Sequence, residues 1–164
     1  MSSIAPPAHT RGKHTTDDWI TPKWLIEALG PFDLDPCQSV NQPWPCAKEG
    51  FTRSGLHRLW HGMVWMNPPY GKDTGNWLGA LASHGNGIAL VFARTETKMF
   101  FAHVWGKASA ILFLRGRLTF CHPDGTGSKA GHNSGGPSVL IAYGEEAAAR
   151  LAANDKLGAF VRLK

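Results

Sequence analysis

The chain has 164 residues, 43% of them hydrophobic, which suits a single domain with a real core. Lys and Arg number 17 against 12 Asp and Glu, and the resulting +5 fits a polyanionic partner such as nucleic acid as well as an ordinary basic surface. Three scattered cysteines (Cys37, Cys46 and Cys121) exclude a disulfide framework, and neither a leader-like segment nor a span-length apolar run is visible, so the sequence predicts a soluble cytoplasmic protein with reduced thiols and no membrane partner.

Residues 1–16 are polar and contain prolines without an apolar period, so they read as a flexible arm ahead of one domain over 17–164. Thr21-Pro22 then offers a helix cap and a first-turn proline for "KWLIEAL", which Gly30-Pro31 stops. "FDLD" is a short strand ending at Pro36, and "QSVNQPWPC" is a loop rich in turn residues. Gly50–Thr52 reads as a short strand and Gly55–Leu59 as a turn or short helix. "GMVWMN" is a strand, and "TGNWLGALASH" is a helix with Thr74 as its cap. "GIALVFA" is a buried strand. "ETKMFFAHVWGKA" is a helix with Phe100, Phe101, Val104 and Trp105 on one side. "SAILFLRG" is a strand that "RLTF" extends after a break, and residues 122–136 form a long Gly/Ser/His loop. "PSVLIAYG", "EEAAARLAA" and "GAFVRL" complete the chain as strand, helix and strand.

Strands alternating with helices predict an α/β layered sheet with right-handed crossovers. Such sheets bind ligands at the carboxyl ends of their strands. Asp35-Pro36-Cys37 follows one strand and Asn67-Pro68-Pro69-Tyr70 follows another, so both fall at that edge.

The second of these has a specific chemistry. Prolines donate no hydrogen bond, yet their carbonyls accept, and their fixed φ aims those carbonyls rigidly. An Asn side-chain oxygen beside a proline carbonyl is therefore a pair of acceptors for one NH2 group. Tyr70 adds a face on which a flat heterocycle stacks. Two acceptors favour an electron-rich, pyramidal nitrogen as it attacks, a stabilisation that grows toward the transition state.

"NPPY" resembles the catalytic motif of the amino-methyltransferases, which use S-adenosylmethionine to methylate adenine N6, cytosine N4 or a glutamine amide. Together with "DWITPKWL", "FDLDPC", "SGLHRLW", "FARTETKMF" and "FLRGRLTF", in this order from Trp19 to Gly144, it is most similar to the small phage-type DNA N6-adenine methyltransferases. The resemblance implies a three-layer α-β-α sheet of the class I, Rossmann-like type, with S-adenosylmethionine as cofactor. It implies double-stranded DNA as partner and a bacterial host cell as the setting. Asn67, Pro68, Pro69 and Tyr70 would hold and stack the flipped target base. Thr21, Pro22, Asp35, Pro36, Cys37 and Leu56 would line the cofactor pocket. Arg94 and Arg117 come just after predicted strands on the active-site side, and with Lys129 of the long loop they are the candidates for contacts to DNA phosphates, Arg117 also by the resemblance of "GRLTF".

The stretch after the first strand, "DPCQSVNQ", lacks the Gly-x-Gly turn common among methyltransferases, and Ser54 stands where relatives have Asp. Glu49 is the candidate acid for the ribose hydroxyls. Cytosine N4, RNA adenine and protein glutamine stay open as other amines, and a catalytically decayed fold that binds nucleic acid is the alternative from another class. Zinc has little support, because Cys37 and Cys46 are too far apart to join His57 and His61 in the usual spacing. Trp77 suits either the base pocket or a helix-face core. With no separate recognition domain visible, loops or a homo-oligomer must supply any sequence specificity.

Overall fold

The computed structural model describes residues 19–124 and 136–164. The expected arm over 1–16, Lys129 and most of the 122–136 loop lie outside the described residues. Seven strands form one sheet: β1 (Leu34–Asp35), β2 (Glu49–Gly50), β3 (Val64–Met66), β4 (Gly87–Phe92), β5 (Ala110–Leu114), β6 (Ser138–Tyr143) and β7 (Gly158–Arg162). Their spatial order is β2-β1-β3-β4-β6-β5-β7. The first four run parallel, β6 is antiparallel to both β4 and β5, and β7 is antiparallel to β5. The carboxyl ends of β1, β3, β4 and β5 therefore share one edge.

Four α-helices flank the sheet: α1 (Lys23–Leu29), α2 (Thr74–His84), α3 (Lys98–Phe100) and α4 (Glu145–Ala152). The apolar runs of β4 and β6 are buried on both faces. Ile88, Leu90, Leu140 and Ala142 join a core with Leu25 and Leu29 of α1 and Leu151 of α4. Their neighbours Ala89, Val91, Val139 and Ile141 join a second core with Leu78 and Leu81 of α2 and with Phe100 and Val104. The strand period of two sorts the same run between two helix layers.

Several local expectations are revised. The helix at 98 is α-helical only to Phe100 and continues as a π-helix over Phe101–Trp105. Phe101 faces solvent at 64% exposure, so it leaves the apolar side it was expected to share with Phe100 and Val104. "RLTF" does not extend β5; beyond Leu114 the next pairing is one isolated bridge, Ile20 with Cys121. The connections from β1 to β2 and from β2 to β3 carry no α-helix, only a 3-10 turn at Gly55–His57. Neither threonine caps its helix. Pro22 and Asp73 hold the cap positions, without side-chain cap bonds. The hydroxyls of Thr21 and Thr74 go instead to the loop after β3, as described next.

Candidate active site

Strand order places β2 on one side of β1 and β3 on the other, which makes the gap at the carboxyl ends of β1 and β3 a topological switch point. Leu34 pairs with Val64, and the same stride along both strands sets Cys37 beside Asn67. A cavity of about 310 Å³ opens there, with Thr21, Asp35, Pro36, Cys37 and Asn67 among its walls. That size is at the small end for a ligand pocket. One further wall is Trp65, whose buried indole N–H has no partner among the described residues.

The Asn67 carboxamide is held by its nitrogen. Nδ2 donates to the Trp19 carbonyl at 2.5 Å and to the Thr21 hydroxyl at 3.2 Å. With both amide hydrogens engaged, Oδ1 is left as the acceptor, and the network decides which end is oxygen. Tyr70 donates its hydroxyl to that oxygen at 3.3 Å, leaving a second lone pair. Burial pushes the Tyr70 phenol up, so it keeps this proton. The Pro68 carbonyl accepts no hydrogen bond from the described residues. The Pro69 carbonyl accepts from the Thr74 hydroxyl at 2.7 Å, and the same hydroxyl accepts from the Gly71 amide at 3.0 Å. The first residue of α2 thereby ties down the turn that the prolines stiffen.

Asp35 ends β1 and is buried, at 4% exposure. Its Oδ1 accepts from the Cys37 amide at 3.2 Å, but burial outweighs this bond and raises the carboxyl to about 7. Burial, reinforced by the Asp35 charge, pushes the Cys37 thiol up and keeps it protonated. The glycine-free turn after β1 is approached by a glycine from elsewhere. A Cβ on Gly55 would lie 1.8 Å from the Pro36 carbonyl oxygen, so only glycine fits against this tip. Ser54, beside it, adopts left-handed geometry at φ 55°.

The other predicted residues scatter around this centre. Pro22 and Leu56 are not walls of the cavity, whereas Ser54 and Gly55 are. Pro68 is buried and Pro69 exposed. Tyr70 lies off the cavity, with one ring face stacked on Phe92 at a centroid distance of 4.5 Å. Beyond that pair is a second hollow with Lys72 and Arg94 at its rim. Arg117 is in a third, beyond Phe120. Trp77 is both wall and core: it lines the cavity, stacks on Trp60 and packs into the second core. Glu49, the candidate ribose acid, is not a wall of this cavity; its Oε2 meets His61 Nε2 at 2.7 Å. Among the described residues no group of three or more His, Cys, Asp or Glu is placed to hold a metal, and no helix is long and apolar enough to cross a membrane.

Sequence reasoning missed four contributors. The Trp19 carbonyl is a backbone group, which residue type does not encode, although "DWITP" marks the segment. Phe92 backs Tyr70, and Phe120 meets Trp19 edge-on at 5.3 Å. Gly55 was visible in "SGL" but not as the partner of Pro36.

A family model described as DNA N-6-adenine-methyltransferase (Dam) matches residues 8–153. No curated protein and no solved structure matches the chain.

Proposed function

The chain belongs to the DNA N-6-adenine-methyltransferase (Dam) family, a family of transferases, and we propose that it methylates a flipped adenine at N6 with S-adenosylmethionine as donor. One observation carries this reading. Trp19 and Thr21 engage both amide hydrogens of Asn67, a residue that lines the cavity at the β1/β3 switch point, so its carboxamide has only Oδ1 left to accept, and the Pro68 carbonyl accepts no hydrogen bond from the described residues.

The cavity fits such a donor in kind: buried Asp35 offers charge to a cationic ligand, and Thr21, the Trp65 indole and the Pro36–Cys37 backbone offer polar contacts. Bound there, S-adenosylmethionine would supply an electrophilic methyl group. The rest is done by this chain. Asn67 Oδ1 and the Pro68 carbonyl accept the two hydrogens of the adenine amine. These bonds strengthen as the nitrogen becomes tetrahedral and positive, so they stabilise the transition state more than the ground state. No strong base is required of the chain, because the cationic nitrogen then loses its proton to water. Pro69 and Thr74 keep the turn from yielding. Phe92 backs one face of Tyr70, and the flipped base stacks on the other. Extrusion of the base costs a few kcal/mol, which stacking and the amine bonds offset. We further read the sheet as the class I, Rossmann-like methyltransferase type, on the strength of its parallel half and the ligand-sized crevice at the switch point.

Asn67→Ala tests the reading. Methyl transfer should fall by at least about a hundredfold, the scale of losing an aimed acceptor, while calorimetry finds affinity for S-adenosylhomocysteine little changed. Near-normal turnover in this variant would refute the clamp.

A further inference from the structure

A third hollow, of about 370 Å³, lies at the end of β5, bordered by Trp24, Arg115, Arg117, Thr119 and Lys156. None of its walls is acidic. Trp24 is 49% exposed although its helix neighbours Leu25 and Ile26 are buried. Its indole borders the hollow with about half of the residue open to solvent, which leaves a flat face available to a ligand. Arg115 and Arg117 follow the carboxyl end of β5, and Lys156 precedes β7 on the same edge. That edge also carries Asn67, Lys72 and Arg94. The hollow adjoins the turn through one wall: Thr119 precedes Phe120, which packs edge-on against Trp19 at 5.3 Å and Tyr70 at 6.5 Å.

We propose that Trp24, Arg115, Arg117 and Lys156 form a second nucleotide subsite, which holds the DNA strand beside the extruded base. The cations take phosphodiester oxygens, and the indole lies against an adjoining base or sugar. Three positive side chains around one aromatic plane match a nucleotide's two parts, an anionic linkage and a flat face. An acidic protein segment would leave the indole without a flat partner. The subsite rests on the DNA-methyltransferase reading and extends it to where the rest of the strand runs.

The test uses fluorescently labelled unmethylated duplex DNA, titrated with the full chain over a series of salt concentrations. Each phosphate contact adds about 0.9 to the slope of log affinity against log salt. The double variant R115Q/K156Q should therefore lower that slope by about two. Trp24→Ala should weaken binding at least about fivefold, the low end for a lost stacking face. Thermal midpoints and S-adenosylhomocysteine affinity should match the parent in both, since these side chains are exposed and away from the cavity. A parent that binds DNA, with both variants matching it in slope and affinity, overturns the subsite and leaves the proposed function standing. A parent that binds cofactor but not DNA overturns both.

Discussion

Replacing Thr21 by Val probes how Asn67 is aimed. The two side chains are nearly the same shape, so the buried site stays filled, but the hydroxyl that accepts from Asn67 Nδ2 at 3.2 Å is lost. One amide hydrogen is then left facing a methyl group. A net hydrogen bond is worth about 1 kcal/mol, and an unsatisfied buried donor costs about 1–3 kcal/mol. The bond from Nδ2 to the Trp19 carbonyl persists, so the carboxamide loosens rather than flips. The cost should appear where Oδ1 matters most, in the transition state, as a loss of about 1–2 kcal/mol, or roughly five- to thirtyfold in kcat. Single-turnover methyl transfer at saturating S-adenosylmethionine and DNA measures it directly. Thr21→Ser, which restores the acceptor, should recover most of the rate, which a loss of packing alone would not do. A Thr21→Val enzyme within twofold of the parent, or a Thr21→Ser enzyme as slow as Val, would refute the reasoning.

Gly55→Ala puts a Cβ 1.8 Å from the Pro36 carbonyl oxygen; both sides are backbone, so the tip of β1 must move. Overpacking of this kind costs about 1–3 kcal/mol, read as a lower denaturation midpoint together with weaker S-adenosylhomocysteine binding; an unchanged midpoint and affinity would contradict the assigned close approach. Asp35 gives a pH dependence whose sign is set by burial. Its folded carboxyl titrates at about 7 against an ordinary 3.8, so between those values the folded state keeps a proton that the unfolded chain has lost. Stability is therefore greatest at the acid end of this window and falls as pH rises through 7, by at most about 4 kcal/mol. Asp35→Asn should flatten the stability difference between pH 5 and pH 8 measured by urea unfolding, and an identical slope in both proteins would remove Asp35 as its source.

What the sequence made legible was local. Apolar runs bounded by Gly, Pro and Asn placed β3, β4, β5 and β6 within a residue or two, because burial on both faces leaves a continuous signal. "NPPY" was readable because proline and carboxamide chemistry is fixed by residue type. What stayed hidden depends on partners distant in the chain. Insertion of β6 antiparallel between β4 and β5 is a choice of pairing that no single segment records. Thr21 looks like a cap in its own neighbourhood, yet its hydroxyl serves Asn67, 46 residues away. Glu49 shows no partner in its own neighbourhood, yet His61 meets it at the sheet edge. The glycine-free turn after β1 hid a different close approach: Gly55, from a distant segment, packs against the Pro36 carbonyl.

The central claim is the transfer of a methyl group to adenine N6 in DNA. Unmethylated duplex DNA incubated with the protein and methyl-labelled S-adenosylmethionine, then digested to nucleosides, addresses it most directly. The account predicts label in N6-methyldeoxyadenosine and its disappearance with Asn67→Ala. Label in N4-methyldeoxycytidine, label only in RNA or protein, or no transfer by a chain that still binds DNA would contradict it.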